Sequence, residues 1–265
     1  MIKRIRLFPN NDDRAKKAYK IAKDKFINNG FIIDDKNFEL AIAIGGDGSF
    51  IRMIENNNFN SDIYYVGINA GTLGFAQEIK IDMIDEFINE LKNKKYQVEQ
   101  IGIQETSIKH NDKIDKYYSL NEIVIRYKMS KMVRLDVLID RDFLEKFLGD
   151  GIIVTSAFGS TAHNLSYGGA ILFPEFKALQ ITPIGPINSK VYKSIQNPII
   201  VPEQKEIIFV PNSEYRDFSV AVDGKYREYE NVEEIKTTVK DKKIKQLRFS
   251  HYNFPNKINE KILSN

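Results

Sequence analysis

The chain has 265 residues, of which 42% are hydrophobic and 28% charged, and its formal net charge is +3. This composition is that of a soluble globular protein, and so small a net charge gives no reason to expect a nucleic-acid partner. The sequence contains no cysteine, which excludes disulfides, thiolate chemistry and cysteine-ligated metal sites. The length allows one large or two ordinary domains.

The first predicted elements are a strand over residues 2–8 and a helix that runs to Asn29 and is stopped by Gly30. Asp12 or Asp13 can cap the start of this helix. Its inward face is predicted to consist of Ala18, Ile21, Ala22 and Phe26. The first nine residues lack the apolar core of a signal peptide. Together with the absence of cysteine, this predicts a cytoplasmic protein.

The first half of the chain is organised around Gly-Gly-Asp-Gly-Ser at residues 45–49. This stretch follows an uncharged apolar run, residues 40–44, which predicts a buried strand of a parallel sheet. Phe50, Met53 and Ile54 then mark the inward face of a helix. Such a turn favours phosphate binding, because backbone N–H groups and the helix dipole face the anion. The motif is neither a P-loop nor a dinucleotide fingerprint.

Asp47 and Arg52 are the candidate functional side chains of this turn. A carboxylate repels a phosphate unless it handles a proton or a metal ion, so Asp47 is unusual here. Arg52 lies one helical turn further on and could pair with a phosphate. From these residues alone, a glycine-rich turn with a capping aspartate remains an open interpretation.

A second glycine-rich turn, residues 69–75, follows a second predicted strand, residues 64–68. In open α/β sheets both turns would lie at the carboxyl ends of strands, where ligands bind. A further helix is predicted from inward-facing Met83, Ile84, Phe87, Ile88 and Leu91. Because strands and helices alternate, we predict an α/β domain with a parallel sheet over residues 1–97, and the GGDGS turn makes it the candidate phosphate-binding domain.

Beyond residue 98 the pattern changes to period two with polar turns. It predicts an antiparallel, sandwich-like β domain over residues 98–246, with a hairpin turn at Asp223 and Gly224. Residues 247–265 are too few for a domain and are expected to pack back on the first one. Residues 151–174 carry no formal charge, but their many Gly, Ser, Thr and Asn residues predict a ligand site rather than a membrane span.

Several polar stretches of the second half are candidate ligand contacts. Residues 155–166 predict a strand end, a turn and a short helix beginning near Ser160, where hydroxyl and N–H groups can bind a polar ligand edge. A plain capped helix remains an alternative. Asn121 and Glu122 are either a turn pair or ligand contacts, and Asp150 is either a turn residue or a ligand carboxylate. The three histidines lack metal-ligand spacing, and no nucleophile motif is present.

Taken together, these motifs resemble those of bacterial-type NAD kinases. The matching stretches are residues 45–49 (GGDGS), 67–75 (GINAGTLGF), 121–122 (NE), 149–151 (GDG), 159–162 (GSTA) and 168–169 (GG). Their order and spacing span residues 40 to 225, and the layout of an α/β domain followed by a β domain also fits. GGDG alone is shared with lipid kinases and phosphofructokinases, whereas the combination is much more specific.

The resemblance implies an enzyme that uses Mg²⁺ to transfer the γ-phosphoryl group of ATP, or of polyphosphate, to the 2′-hydroxyl of the adenosine ribose of NAD, giving NADP. It implies that Asp47 is the catalytic base or orienting group, and it assigns no residue to a metal. The implied substrate-binding residues are Gly46, Gly48, Arg52, Asn121, Glu122, Asp150, Phe158, Thr161, Ala162, His163, Asn164, Leu165, Ser166, Gly185 and Asp223. It also implies a homodimer or homotetramer without nucleic-acid or membrane partners.

One short stretch and three single positions depart from the usual pattern of that family. Residues 156–159 read Ser-Ala-Phe-Gly where Thr-Pro-Thr-Gly is usual, and His163 stands where tyrosine is usual. Leu148 stands where a basic residue is common, and Lys225 where glutamine is frequent. These departures bear on substrate affinity and on the choice of phosphate donor more than on the reaction.

Two other functions remain open from the sequence. A lipid or sugar kinase could share the GGDG motif, although Asn121, Glu122 and the Gly-Ser-Thr-Ala turn argue against it. A non-catalytic NAD(P)-binding sensor could keep the same fold, although an intact Asp47 argues against that. Binding of NAD without turnover would favour the sensor.

Overall fold

The computed structural model describes residues 2–71, 74–129, 131–212 and 214–264. The chain forms two compact units. The first comprises Met1–Ile101 and Lys243–Asn265, and the second comprises Gly102–Lys242. Each unit is described by itself below.

The first unit is built on a parallel sheet, as the alternation of strands and helices predicts. Its strands are β1 (Arg4–Pro9), β2 (Ile32–Ile33), β3 (Leu40–Gly45), β4 (Tyr64–Asn69) and β5 (Ile79–Lys80). They lie in the order β4-β3-β1-β2, with β5 paired to β4. The register places Ile5 of β1 opposite Leu40 of β3, and Ile44 of β3 opposite Ile68 of β4. Every residue of β3 is buried, as its uncharged apolar sequence predicts.

The helices of the first unit are α1 (Asp13–Asn28), α2 (Asp47–Asn56) and α3 (Ile84–Lys92), and a 3₁₀ turn, Ile81–Met83, precedes α3. Asp12 caps α1, because its side chain accepts a hydrogen bond from the Ala15 N–H. The prediction that Ile21 faces inward is wrong, since 47% of its surface is exposed. The small Ala15 packs inward instead, in line with Ala18, Ala22 and Phe26.

The second unit is made almost entirely of antiparallel strands. They are β6 (Tyr96–His110), β7 (Lys113–Ser119), β8 (Glu122–Tyr127), β9 (Val133–Ile139), β10 (Asp142–Gly149), β11 (Gly151–Ser156), β12 (Ala178–Ile184), β13 (Ile199–Pro202), β14 (Ile207–Pro211), β15 (Phe218–Val222), β16 (Lys225–Tyr229) and β17 (Val232–Phe249). β6 begins, and β17 ends, in the first unit. The last residues of β17 pair parallel with β4 there.

Two sheets pack together in the second unit. One is six-stranded, with the order β13-β12-β11-β8-β15-β16, and the other contains β10-β9-β14-β17. Their inward residues, among them Ile125, Val154, Leu135 and Phe209, form one buried cluster. Asp223 and Gly224 form the predicted two-residue hairpin, with φ values of 45° and 78°. The predicted fold class, an α/β part with a parallel sheet and an antiparallel β part, is confirmed.

Short helical segments complete the fold. A 3₁₀ turn, Phe158–Thr161, and α4 (His163–Ser166) follow β11, close to the predicted helix start at Ser160. α5 (Phe254–Ile258) and a π-helical turn, Asn259–Leu263, form the C-terminal segment of the first unit. No helix within the described ranges is long and apolar enough to cross a membrane.

Candidate active site

The GGDGS motif lies where the sequence analysis predicts it, between the end of β3 and the start of α2. Gly45 ends the strand with a φ of 153°, and a Cβ added there would lie 2.5 Å from the Ser49 Oγ. Gly46 is the N-cap residue of α2, and no side chain of the described residues caps this helix end. The first backbone N–H groups of the helix therefore remain available for an anion.

A cavity of about 560 Å³ opens over this turn in the first unit. It is lined by Asp12, Asp13, Arg14, Gly45, Gly46, Asn69, Ala70 and Gly71. The residues that follow β3 and β4 thus meet at one edge of the sheet, as parallel strands require. Thr72 and Leu73 of the second glycine-rich turn lie outside the described residues.

The Asp47 carboxylate is held by the backbone of residues 74–76. Its Oδ2 accepts a hydrogen bond from the Phe75 N–H at 3.0 Å, and its Oδ1 accepts one from the Ala76 N–H at 2.9 Å. A Cβ at Gly74 would lie 1.9 Å from the Asp47 Oδ1, so only glycine permits this approach. The Gln77 Nε2 also donates to the Gly46 carbonyl at 2.8 Å. The two glycine-rich turns are therefore joined through Asp47 and Gln77.

Arg52, the candidate phosphate partner, is exposed on the second turn of α2. Its Nη2 donates to the Asn10 Oδ1 at 2.8 Å and to the Ser49 Oγ at 3.2 Å. A Cβ at Gly48 would lie 3.5 Å from the Arg52 Nη1, so the guanidinium lies beside the turn. This position leaves the charge close to the predicted phosphate site.

In the second unit, Asp223 organises the predicted Asn121 and Glu122 pair. Its carboxylate accepts hydrogen bonds from three successive N–H groups, those of Leu120 at 2.8 Å, Asn121 at 2.8 Å and Glu122 at 3.2 Å. The hairpin turn that carries Asp223 therefore fixes the backbone from which the other two side chains project. The structure brings these three predicted site residues together.

Glu122 is a buried acid, with 5% of its surface exposed. Among the described residues, its Oε2 has no hydrogen-bond partner. Burial, and secondly the charge of Asp223, raise the pKa of Glu122 to about 8. A buried carboxyl oxygen without a protein partner is costly unless it is protonated or binds a ligand.

The turn after β11 packs directly on Asn121. The Asn121 carbonyl accepts hydrogen bonds from the Ser156 N–H and the Thr155 hydroxyl, both at 2.9 Å. A Cβ at Gly159 would lie 2.3 Å from the same carbonyl oxygen, so a side chain there would separate the two segments. Phe158 stands in this turn and is half-buried.

The residues of the following segment differ in exposure. Ser166 is exposed, and the half-buried members are Thr161, Ala162, His163 and Leu165. The His163 ring lies 5.1 Å from the Tyr167 ring, edge to face. Asn164 is fully buried: its Nδ2 donates to the Ser160 carbonyl at 3.1 Å, and its Oδ1 accepts from the Thr182 hydroxyl at 2.6 Å. Its side chain thus shapes the turn from inside.

Asp150 and Gly185 also come together in the second unit. Asp150 is exposed between β10 and β11, and its N–H donates to the Ile184 carbonyl at 2.8 Å. Gly185 has a φ of 52°, and a Cβ there would lie 2.4 Å from the Asp150 Oδ2. Leu148, one of the departures from the family pattern, is buried two residues earlier.

Sequence reasoning missed a buried ion cluster beside Asp47 in the first unit. The Arg248 Nη1 lies 3.0 Å from the Glu78 Oε2, its Nε lies 2.9 Å from the Glu99 Oε2, and the Lys257 Nζ lies 3.8 Å from the Glu78 Oε2. The sequence gives a weak indication that Arg248 is buried, because it lies between the apolar residues Leu247 and Phe249 at the end of a strand. Nothing in the polar C-terminal segment indicates that Lys257 is buried.

Comparisons with known proteins agree with this arrangement. The ATP-NAD kinase N-terminal domain matches residues 8–96, and the ATP-NAD kinase C-terminal domain matches residues 120–247. The NAD kinase of Finegoldia magna is 40% identical over 253 residues, which cover 92% of each chain. NAD kinase 1 of Oceanobacillus iheyensis is 30% identical over 263 residues, which cover 98% of each chain.

The fold is also found in a solved structure. A crystal structure of yeast NADH kinase complexed with NADH superposes with a TM-score of 0.84, covering 98% of this chain and 87% of that one. The two sequences are 18% identical, so this likeness concerns the fold alone. The matches to both domains and the nearly full-length bacterial relatives go further, and they show that the chain belongs to the ATP-NAD kinase family.

Proposed function

We propose that this NAD kinase transfers the γ-phosphoryl group of ATP to the 2′-hydroxyl of the adenosine ribose of NAD, giving NADP. The observation that carries the proposal is the position of Asp47, at the first residue of α2 and beside a cavity floored by Gly45 and Gly46. Backbone N–H groups orient both of its carboxylate oxygens. Phosphoryl transfer depends mainly on positioning and charge neutralisation, which such a turn can supply.

In this mechanism Asp47 accepts the proton of the attacking ribose hydroxyl, or orients that hydroxyl. Gly46, Gly48 and Arg52 contact the nucleotide phosphates, through the N–H groups of the helix start and the guanidinium. The first unit would thus hold the reacting phosphates. We propose residues 1–97 and 98–246 as the limits of the two domains, as predicted from the sequence.

The second unit would hold the dinucleotide. We assign Asn121 and Glu122 to the NAD ribose and its surroundings, since an unpartnered buried oxygen of Glu122 suits a ribose hydroxyl. Asp223 would act by fixing their backbone. Further contacts are proposed for Asp150, Gly185, Phe158, Thr161, Ala162, His163, Asn164, Leu165 and Ser166.

Mg²⁺ is proposed as the divalent cation of the reaction. The described residues contain no group of three or more histidine or acidic side chains arranged to hold a metal, so no protein ligand is assigned to the ion. Mg²⁺ commonly binds through substrate phosphates with few protein ligands, and it would neutralise phosphate charge. Omitting the cation should abolish turnover while leaving NAD binding measurable by calorimetry.

A homodimer or homotetramer in the cytoplasm is the assembly that we propose from the family. Sedimentation of the purified protein would measure its mass. A monomer at assay concentration would contradict the proposed assembly without affecting the proposed reaction.

The central experiment incubates purified protein with NAD, ATP and Mg²⁺ and detects NADP with an NADP-specific dehydrogenase. We expect NADP to accumulate in proportion to enzyme. A parallel reaction with polyphosphate tests the alternative donor. If neither donor gives NADP while diacylglycerol or a sugar phosphate becomes phosphorylated, the proposed acceptor is wrong; binding of NAD without any turnover would indicate a sensor.

A second prediction concerns His163, which we place beside the adenine of the dinucleotide. His163→Tyr should keep activity or tighten NAD binding, because tyrosine offers a larger stacking face. Calorimetric titration with NAD measures the change. A loss of NAD affinity of more than about tenfold, or 1.4 kcal/mol, in a variant with unchanged melting temperature would contradict this placement.

A further inference from the structure

The side chain of Lys257 in α5 is buried in the first unit, with 6% of its surface exposed. Its ammonium group donates a hydrogen bond to the Phe75 carbonyl at 3.1 Å and another to the Gln77 carbonyl. A buried ammonium is costly, and it is tolerated only where hydrogen bonds and counter-charges compensate it. Its two acceptors are backbone groups of one short segment, residues 75–77.

The same segment holds the Asp47 carboxylate through its N–H groups. Phe75 and Ala76 donate to Asp47, and the Ala76 carbonyl accepts from the Gln246 Nε2 at 2.9 Å. The N–H groups of this segment bind the Asp47 carboxylate, and its carbonyl groups bind the Lys257 ammonium. A shift of the carbonyls bound by Lys257 would therefore rotate the amides that orient Asp47.

Charged groups face Lys257 from several elements. The Glu78 Oε2 lies 3.8 Å from its Nζ, and Arg248 bridges Glu78 and Glu99. The Tyr252 ring centroid lies 4.9 Å from the ammonium. A cavity of about 220 Å³ beside Lys257 is also lined by the titratable residues Glu78, Lys80, His251, Tyr252 and Glu260.

We propose that Lys257 is a positioning residue for phosphoryl transfer, which fixes the segment of residues 75–77 so that its amides hold Asp47 in the reactive orientation. This inference rests on the proposed role of Asp47. Lys257 itself touches neither substrate in this scheme. It acts through two carbonyls and, secondarily, through its charge, which interacts with the charge of the Asp47 carboxylate.

The charge of Lys257 gives the proposal a pH signature. Burial, and secondly the charge of Arg248, lower the pKa of Lys257 to about 8, against the opposing effects of Glu78, Asp47 and Glu99. A neutral amine can still donate two hydrogen bonds, but charge-assisted bonds are about twice as strong. We therefore expect kcat to fall as the pH rises through about 8.

The experiment compares kcat, the NAD dissociation constant and the melting temperature for Lys257→Met, Lys257→Arg, Asp47→Asn and the double variant. Lys257→Met should lower kcat at least about tenfold with NAD affinity nearly unchanged, and Lys257→Arg should restore most of kcat. In the Asp47→Asn background, Lys257→Met should cause no further loss, because both act through one group. The matched control is Lys261→Met, in the adjoining helical turn, which should leave kcat unchanged.

A Lys257→Met kcat within about twofold of the parent enzyme would overturn the inference. An equal loss of kcat in the Asp47→Asn background would also overturn it, because it would indicate a merely structural role. If Lys257→Met does not fold, the pH dependence of kcat in Lys257→Arg tests the inference instead, because the guanidinium stays charged where the ammonium of Lys257 loses its proton. Its alkaline limb should move upward by about one pH unit or more, and an unmoved limb overturns the inference. Normal turnover in Asp47→Asn would instead refute the proposed function of Asp47, so the two failures are distinguishable.

Discussion

Asp47→Asn is expected to lower kcat by roughly 10²–10⁴-fold, the usual contribution of a positioned general acid or base. The amide of asparagine cannot accept the proton of the ribose hydroxyl, whereas the carboxylate of Asp47 can. NAD binding should weaken far less than turnover, because the proposed NAD contacts lie mainly in the second unit. Turnover, NAD affinity and melting temperature are measured on one preparation.

The structure changes one part of this prediction. From the sequence alone, Asp47→Asn should leave stability nearly unchanged, since asparagine caps a helix as well as aspartate does. Instead, both Asp47 oxygens accept backbone N–H groups, from Phe75 and Ala76. Asparagine has one acceptor oxygen, and its NH₂ group would face the second donor. We therefore expect a loss of about 1–3 kcal/mol in the free energy of unfolding.

This stability loss requires a control that separates folding from chemistry. Asp62→Asn makes the same chemical change at an exposed position in the first unit and should leave kcat and melting temperature unchanged. Kinetics of Asp47→Asn are recorded well below its melting temperature, so that the folded fraction stays near one. A near-normal kcat under those conditions would show that Asp47 has a structural role and is not the catalytic base.

The architecture of the first unit follows from local patterns. The uncharged run of β3 and the helical spacing of Phe50, Met53 and Ile54 place the GGDGS turn correctly, and these three side chains are buried. Periodicity failed at Ile21 because α1 packs through its alanines, which leaves the larger Ile21 at the edge of the contact face. The helical spacing of apolar residues does not by itself show which edge of the apolar face packs against the rest of the protein.

The contacts that hold the candidate site could not be predicted in the same way. The Asp223 carboxylate meets the N–H of Leu120 across 103 positions of sequence, and Lys257 meets the Phe75 carbonyl across 182. Neither pairing leaves a periodic trace, since each is a single long-range contact between irregular segments. The sequence predicts Asp223 in a hairpin turn, and the family resemblance implies a ligand contact, but the hydrogen bonds by which it anchors Asn121 and Glu122 are visible only in three dimensions.

The second large effect is expected at Glu122. Its pKa is raised to about 8 in the folded protein, mainly by burial, from an ordinary value of 4.5. Between these two values the folded state keeps a proton that the unfolded state has lost. The slope of the unfolding free energy with pH is therefore negative, and Glu122 makes the protein less stable as the pH rises from about 4.5 to about 8.

Glu122→Gln removes this titration while keeping the size of the side chain. At pH 5 the variant and the parent should unfold at similar urea concentrations. At pH 8 the variant should be more stable by about 2–5 kcal/mol, since each unit of pKa shift corresponds to about 1.4 kcal/mol. Glu175→Gln, at an exposed position of the same unit, should show no such pH-dependent difference.

Urea unfolding curves at pH 5, 6, 7 and 8 for the three proteins decide the question, provided that the urea dependence of the unfolding free energy is the same in each. A gap between Glu122→Gln and the parent that widens with pH indicates a protonated Glu122 in the free enzyme at neutral pH. In that state its carboxyl group can donate a hydrogen bond as well as accept one, which suits a ribose hydroxyl that does both. A gap that stays constant from pH 5 to pH 8 would show that Glu122 ionises normally, and the proposed contact would then have to be made by a carboxylate.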